Sequence, residues 1–563
     1  MKTRRRCAGC IVALWAALTA LHAQPQAPKL VVIIVVDQMR ADYIEKFGRQ
    51  WTAGLRQLVD HGAWFRQAAY PYMNTVTCAG HATISTGAFP ATHGMIENGW
   101  WDRESGRVVG CTEDPKSPLV SYGTPAAGGN GPSRLLAVTL SDELRVQMPS
   151  PPRIVSLSIK ERTAVTLAGR RGDAVTWFND QAHSWVTSTA YANAPVPFVA
   201  QFIKAHPVEA EYGKVWTRSL PESAYLYADQ AAEERPPRGW TNTFPHPLTS
   251  ASGAADPEFY EKWVDSPFSS DYLGQLAEAS IDALGLGKGR STDYLAISFS
   301  EIDAAGHAFG PRSHEVQDAL IKLDAVIGSL LTHLDRAVGP DDYVLALSSD
   351  HGVAPIPEQM IREGFDAGRL VTGDVVSRLD KALEPLTGGA RAVAQMVYAD
   401  LYFAPGVMDK LTANPAAMRA AIDAVRSVPG VWRVLRADEV RDRRPTDDPV
   451  ARAVALSYYP GRSGDLIVVP RPYWFLVNPE TPASPSAGTT HGTLHSYDVR
   501  VPIVLMGRGI KSGEYTTGTT PADIAPTLAF LCGITLAHPD GRVLSEALTT
   551  PVRSGGPTAA GRR

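Results

Sequence analysis

Six aspartate and histidine side chains in four separate segments have the chemistry to bind metal ions: Asp37, Asp303, His307, Asp350, His351 and His491. Asp303 and His307 are four residues apart in DAAGH, so a helical turn would place both on one face, while a loop could also bring them together. Asp350 and His351 are adjacent in SSDHG, which fits a loop at a strand end better than a helix. We therefore treat these segments as candidates for one metal centre.

Mixed Asp and His ligands without paired cysteines favour zinc. Six such ligands and one bridging nucleophile would fill two neighbouring sites, and two metals about 4 Å apart suit an in-line displacement at phosphorus. Each short pattern alone is more often ordinary surface polarity or, at a strand end, a helix cap. The combination favours a two-metal site.

The segment NTVTCAGHATISTG (74–87) contains a candidate nucleophile, the hydroxyl of Thr77. Small residues follow it and would let a helix begin there. A helix N-terminus favours the negative charge of an alkoxide or a phosphate. Taken alone, the residue types favour a plain helix cap for Thr77.

Three buried strands are predicted to position the acidic residues. LVVIIVVD ends at Asp37, YLAISFS runs to Glu301 and Asp303, and YVLALSSD runs to Asp350. Continuous apolar runs are typical of strands buried on both faces. A helical pattern over 314–336 separates the last two, and strands alternating with helices predict an α/β, doubly wound, mostly parallel central sheet flanked by helices. Ligands of such sheets bind beyond the carboxyl ends of the strands.

The rest of the chain divides into core segments and insertions. Further core elements are predicted at 501–507 and 521–533, within one α/β domain over 24–550. Stretches rich in Pro, Gly and aromatic residues, near 185–265 and 370–490, are interpreted as cap insertions over the sheet edge, not as independent domains. Residues 551–563 have the composition of a disordered tail.

The N-terminus has the pattern of a secretory signal peptide over 1–23. Lys2 and three arginines precede an apolar stretch at 11–21, which is too short to span a bilayer comfortably, and small residues suggest cleavage near Ala23. The alternative is an uncleaved membrane anchor. We expect a periplasmic or secreted protein without stable membrane insertion after cleavage.

The composition and the cysteine count limit the class of protein, the kinds of partner and the number of disulfides. With 44% hydrophobic and 20% charged residues, the chain is a normal globular protein. The net charge is only -4 and no basic run lies outside the N-terminus, so no nucleic-acid partner is indicated. Three cysteines remain after cleavage, which allows at most one internal disulfide. Cys78–Cys111 is the pair we consider, and Cys532 lies in an apolar stretch typical of a buried thiol.

Seven segments, in this order and spacing, give the chain its resemblance to a known family: the first strand with Asp37, TVTCAGH, HGMIEN, SIKER, DAAGHAFG, SSDHG and TTHG. The chain resembles the phosphate-irrepressible alkaline phosphatases of the alkaline phosphatase superfamily, which are related to the type I nucleotide pyrophosphatase/phosphodiesterases. The resemblance covers nearly the whole mature chain. It implies two zinc ions per chain and a phosphothreonine intermediate.

The resemblance also implies roles for individual residues. Thr77 would be the nucleophile and would bind one zinc with Asp37, Asp350 and His351. The second zinc would be bound by Asp303, His307 and His491. His495 is the alternative to His491, and we consider it for a position just outside the ligands. Three further residues would bind phosphoryl oxygens: Asn98, Lys160 and Arg162. On the residues alone, Asn98 can be a turn residue before Gly99. Without the resemblance, Lys160 and Arg162 are interpreted as a solvated charged pair.

The resemblance implies a secreted, broad-specificity alkaline phosphomonoesterase that acts on small phosphomonoesters, and we expect a monomer. Two cations beside the site suit the three unsubstituted oxygens of a monoester dianion. One alternative is a nucleotide pyrophosphatase/phosphodiesterase that uses the same two-zinc site. Another is a non-catalytic secreted binding protein, although no metal ligand and no nucleophile is missing.

Overall fold

The computed structural model describes residues 27–231, 233–441, 446–478 and 487–549. The predicted signal peptide and C-terminal tail lie outside the described residues. In the described part of the chain, no helix is both long enough and apolar enough to cross a membrane.

An eleven-stranded mixed sheet forms the centre of the molecule. Its strands lie side by side in the order Gly513–Tyr515, Ala63–Phe65, Ile503–Gly507, Tyr343–Ser348, Leu30–Val36, Asp293–Phe299, Ile154–Ser158, Ala174–Asn179, Ser184–Ser188, Glu113–Ser121 and Gly129–Asn130. The five strands from Tyr343–Ser348 to Ala174–Asn179 are parallel. Antiparallel pairs border them on both sides. The predicted α/β fold is confirmed, and its parallel part is the centre of the sheet.

The first strand, Leu30–Val36, explains why this sheet needs helices on both faces. All seven of its residues are buried, and alternate side chains belong to two different cores. One core is covered by the helices Asp42–Phe47, Gly54–His61, Pro267–Leu284 and His314–Ala337. The other is covered by the helices Thr77–Thr86, Leu140–Gln147, Glu161–Ala168 and Ile524–Cys532. A strand with period-two side chains and two apolar faces is stable only between two such layers.

The two insertions pack differently. The first, near 185–265, adds the helices Pro197–Ala205 and Pro257–Val264 and the short strand pair Val215–Trp216 and His246–Pro247. Its large aromatic side chains, including Trp216 and Phe259, belong to the main core. This insertion therefore extends the body of the domain.

The second insertion, near 370–490, has a sheet and a core of its own. Its four-stranded antiparallel sheet has the order Val393–Val397, Asp400–Phe403, Leu466–Pro470 and Val431–Arg436. Its helices are Thr372–Thr387, Val407–Ala413, Pro415–Arg426, Ala437–Arg441 and Pro449–Ser457. This stretch is thus more regular than its Pro- and Gly-rich composition indicates.

Candidate metal centre and phosphate site

Three carboxylates converge at the carboxyl edge of the parallel strands. Asp37 directly follows the strand Leu30–Val36, and Asp350 follows Tyr343–Ser348. Asp303 lies in the helix Glu301–Phe309, so the DAAGH segment is helical. Asp37 and Asp350 are fully buried, and Asp303 is 5% exposed. The strand order brings residues from distant segments to one point because these three strands are neighbours in the sheet.

Three histidines direct their Nε2 atoms toward these carboxylates. His307 Nε2 lies 3.2 Å and His491 Nε2 3.7 Å from Asp303 Oδ1. His351 Nε2 lies 3.5 Å from Asp37 Oδ1 and 3.2 Å from Asp350 Oδ2.

The opposite ring nitrogen, Nδ1, of each histidine pairs with a backbone carbonyl: His307 with Thr489 (2.9 Å), His351 with Gly352 (3.0 Å) and His491 with Thr75 (2.9 Å). An Nδ1–H that donates to a carbonyl leaves the Nε2 lone pair free for a metal.

These side chains fit metal ions. Two groups have ligand atoms within 4.8 Å of one another: Asp37, Asp350 and His351, and Asp303, His351 and His491. His307 joins them through Asp303. Among the described residues, Asp37 Oδ1 and Asp350 Oδ2 accept no well-formed hydrogen bond although both carboxylates are fully buried, and the nearest charged partners are histidine ring nitrogens. Buried charges need a partner, so oxygen atoms left in this state suit a cation.

The electrostatics of the site are those of crowded charges. Burial opposes protonation of His351, but Asp350 beside it raises its pKa to about 9. Burial also opposes protonation of His307, but Asp303 beside it raises its pKa. A bound cation would have to displace these protons.

Burial raises the pKa of Asp37 to about 7, and the charges of Asp303 and Asp350 act in the same direction. Burial opposes ionisation of Asp350, but the neighbouring His351 and His81 hold its pKa well below the ordinary value. Burial and two neighbouring imidazoles lower the pKa of His491 far below its ordinary value, so this ring is neutral and able to bind a metal.

Thr77 lies beside this cluster. It is the first residue of the helix Thr77–Thr86 and is 1% exposed. Its Oγ1 is 3.5 Å from His351 Nε2. The hydroxyl is therefore placed where the positive end of the helix and the metal-binding side chains meet.

The three residues expected to bind phosphoryl oxygens approach from two segments. Asn98 Oδ1 accepts a hydrogen bond from the backbone N–H of Cys78 (2.8 Å), so the amide is held next to Thr77. Lys160 Nζ pairs with Asp37 Oδ2 (2.6 Å) and with Asp303 Oδ2. Arg162 has its nearest carboxylate in Glu161, at 3.5 Å, and its buried Nε has no hydrogen-bond partner in the described chain. Its guanidinium is thus poorly neutralised and suited to an anion.

A disulfide between Cys78 and Cys111 joins the helix Thr77–Thr86 to the segment after Asn98. Cys111 N–H donates to the backbone carbonyl of Asn98 (3.0 Å), so both half-cystines hold this residue. Cys532 is free and buried, as its apolar neighbours indicated.

Sequence reasoning missed Gln38. This buried residue has a positive φ of 67°, and its backbone N–H donates to Asp350 Oδ1 (3.1 Å). Its side-chain Nε2 donates to Asp303 Oδ1 (2.6 Å). Gln38 thus links two metal-site carboxylates, and its only sequence signal is a polar residue directly after a strand-ending aspartate.

His495 does not belong to the cluster. Its Nε2 pairs with the backbone carbonyl of Pro470 (3.0 Å), and its ring stacks on Trp432. Of the two histidines in GTTHGTLH, the structure brings only His491 to the carboxylates.

Residues 31–498 match the family described as type I phosphodiesterase / nucleotide pyrophosphatase. The chain belongs to this family. The matched range covers most of the chain and contains every residue of the site described above.

Two bacterial alkaline phosphatases resemble the chain over nearly its whole length. It is 29% identical to alkaline phosphatase PhoV of Synechococcus elongatus over 526 residues, with 92% of each protein covered. It is also 29% identical to alkaline phosphatase PafA of Elizabethkingia meningoseptica over 527 residues, which are 92% of this chain and 93% of PafA.

Solved structures support the same relationship. The crystal structure of PafA superposes with a TM-score of 0.84 at 29% identity and covers 94% of this chain and 100% of PafA. Murine ectonucleotide pyrophosphatase/phosphodiesterase 5 shares the fold, with a TM-score of 0.51 at 14% identity. The resemblance to the alkaline phosphatase superfamily predicted from the sequence is thereby confirmed.

Proposed function

We propose that this protein is a metal-dependent alkaline phosphomonoesterase that hydrolyses small phosphate monoesters through a phosphothreonine on Thr77. The observation that carries the proposal is the convergence of three buried carboxylates and three imidazole Nε2 atoms beside the Thr77 hydroxyl. The names of PhoV and PafA, both alkaline phosphatases, support the same activity.

Two zinc ions per chain suit the ligands. Asp37, Asp350 and His351 would hold one ion together with Thr77, and the other would be held by Asp303, His307 and His491. Bound zinc would lower the pKa of an attacking hydroxyl and neutralise charge on the leaving oxygen. Carboxylate and imidazole ligands without thiolates favour zinc over softer ions. Six protein ligands are enough to give each of two zinc ions three of them.

The reaction would proceed as two in-line displacements. Thr77 Oγ forms a bond to phosphorus while the bond from phosphorus to the alcohol oxygen breaks, which leaves a phosphothreonine. A water oxygen then attacks the same phosphorus, Thr77 Oγ leaves, and inorganic phosphate is released. The N-terminus of the helix Thr77–Thr86 places backbone dipoles beside the negative charge in both steps.

Asn98, Lys160 and Arg162 would bind the phosphoryl oxygens. In a loose transition state, charge is spread over three oxygens, and one amide with two cations can contact all three. A crystallised PafA variant has a threonine, an asparagine, a lysine and an arginine substituted together, in the order and at the spacing that Thr77, Asn98, Lys160 and Arg162 have here. This correspondence supports the assignment.

The second candidate function is phosphodiester hydrolysis, which the family description favours. A diester carries one charge and needs room for its second substituent. The two cations Lys160 and Arg162 offer more positive charge than a monoanion requires and suit the dianion of a monoester. We therefore place monoester hydrolysis first.

The decisive experiment compares p-nitrophenyl phosphate with bis-p-nitrophenyl phosphate, with and without a chelator. The Lys160→Ala/Arg162→Ala double variant should lose kcat/KM for the monoester far more than for the diester. The matched control is Lys410→Ala/Arg426→Ala, at exposed positions on helices of the second insertion. Equal losses on both substrates would refute the assignment, and activity that survives complete metal removal would refute the metal mechanism. Metal analysis of the purified protein tests for two zinc ions per chain.

We also propose that the protein works in the periplasm or outside the cell. The Cys78–Cys111 disulfide supports this location, because disulfides persist in oxidising compartments. Fractionation of producing cells should find the mature protein, cleaved near Ala23, outside the cytoplasm. A cytoplasmic protein with an intact N-terminus would contradict this location.

A further inference from the structure

Tyr398 lies at the tip of a hairpin in the second insertion, between the strands Val393–Val397 and Asp400–Phe403. It has a positive φ of 50°, which a bulky aromatic residue rarely adopts. Its side chain is 41% exposed. A strained, partly exposed aromatic residue at a hairpin tip is typical of a functional position, because only a supporting contact compensates for the strain.

The hairpin is fixed to the segment that precedes the nucleophile. Ala399 packs in one apolar cluster with Met73, and its backbone carbonyl accepts a hydrogen bond from Val468 N–H (2.9 Å). The backbone N–H groups of Met73 and Asn74 donate to Ser457 Oγ, at 2.9 and 3.0 Å. Tyr398 is therefore held in a constant position relative to Thr77.

The Tyr398 side chain faces the groups proposed to bind phosphoryl oxygens. Burial raises the pKa of the Tyr398 hydroxyl overall, but the charge of Arg162 and the neighbouring Asn98 side chain both act on the hydroxyl to lower that pKa, so it lies near both groups. The strand Val393–Val397 also contacts the strand Gly99–Asp102, which directly follows Asn98. Tyr398 therefore lies beside Asn98 and near Arg162, on the side of the site that the second insertion covers.

We propose that Tyr398 is a specificity-determining residue, whose ring occupies the volume that the second substituent of a phosphodiester would need. The proposal rests on the assignment of Asn98 and Arg162 to the phosphoryl oxygens. A monoester has no group on those oxygens and fits beside the ring. A diester places an alkyl or aryl group on one of them, and that group collides with the ring. The second insertion thus selects for monoesters without supplying a metal ligand.

The test measures kcat/KM for p-nitrophenyl phosphate and for methyl p-nitrophenyl phosphate in three variants. Tyr398→Ala should lower the monoester-to-diester ratio about tenfold, mainly through faster diester hydrolysis, because steric differences of this size are worth about 10- to 200-fold in specificity. Tyr398→Asn should do the same, and asparagine tolerates the positive φ, so it guards against misfolding of the alanine variant. Tyr398→Phe keeps the ring and should keep the wild-type ratio.

The matched control is Trp432→Ala, which removes an equally exposed ring (42%) from the same insertion and should leave the ratio unchanged. A ratio within twofold of wild type in folded Tyr398→Ala and Tyr398→Asn would overturn the inference. So would an equal shift in Tyr398→Phe, because the hydroxyl and not the ring volume would then be responsible. Single Asn98→Ala and Arg162→Ala variants separate the two levels: unchanged monoester hydrolysis there refutes the site assignment itself.

Discussion

Gly80 packs the nucleophile helix directly against the loop that carries Asp350. A Cβ atom at this position would lie 2.3 Å from the backbone oxygen of Asp350 and 2.5 Å from its Cβ. Real Cβ atoms essentially never approach another atom closer than 3.0 Å. In Gly80→Ala, the helix and the loop must therefore move apart by something close to 1 Å.

This displacement separates Thr77 from the metal-binding side chains. A misplacement of about 1 Å in an active site can cost about 10²-fold in rate, which is about 2.7 kcal/mol of transition-state stabilisation. Helix propensity acts in the opposite direction, since alanine is about 1 kcal/mol better than glycine in a helix interior. We therefore expect kcat/KM for p-nitrophenyl phosphate to fall about 100-fold. We also expect a lower Tm, because overpacking costs about 1–3 kcal/mol and the helix-propensity gain offsets only part of it.

The control is Gly518→Ala, because a Cβ at Gly518 meets no atom within 4 Å. Both variants are assayed with zinc in excess and checked by metal analysis and thermal unfolding. Gly80→Ala activity within twofold of wild type would refute the argument that this close approach sets the position of the nucleophile. Lost zinc with an unchanged Thr77 position in a crystal structure would refute it as well.

Three further predictions test other parts of the structure. Chelation should abolish activity and lower Tm, since the clustered carboxylates then repel one another, and added zinc should restore both; a metal-free protein with unchanged Tm would contradict this. Cys78→Ala/Cys111→Ala, which removes the disulfide, should destabilise the fold by about 3–4 kcal/mol, as expected for a closed loop of 33 residues. An unchanged midpoint of urea unfolding would contradict this prediction. Burial raises the pKa of Glu97 well above its ordinary value of 4.5, and the charge of Asp400 acts in the same direction. Because the unfolded chain loses this proton more easily than the folded protein, Glu97 lowers the stability of the fold as the pH rises above about 4.5. Glu97→Gln should therefore raise Tm relative to wild type at about pH 8, and the difference should vanish below about pH 4.

The strand ends could be predicted because their physics is local. A continuous apolar run ending in a carboxylate marks a buried parallel strand, and this placed Asp37 and Asp350 at one edge of the sheet. The helical spacing of Asp303 and His307 is equally local. Gln38 could not be found in this way, because its role depends on a left-handed backbone conformation and on two carboxylates from distant segments.

The second insertion was underestimated for a different reason. Its prolines suggested irregular structure, yet Pro415 and Pro449 each begin a helix, where the missing N–H costs nothing. Composition does not distinguish a proline that starts a helix from one that breaks it. The role proposed for Tyr398 could not be predicted from the sequence either. A tyrosine in a turn indicates no function until the fold places its hairpin beside Asn98.

The position of the first strand has a consequence for biosynthesis. Leu30–Val36 leaves the ribosome early, but its two neighbours in the sheet begin only at Asp293 and Tyr343. At about 5–20 residues per second, tens of seconds pass before either partner has been made. An uncharged run of seven β-branched and aliphatic residues is prone to aggregate during that interval. The nascent chain is therefore expected to depend on a chaperone that covers this segment until its two neighbouring strands have been made.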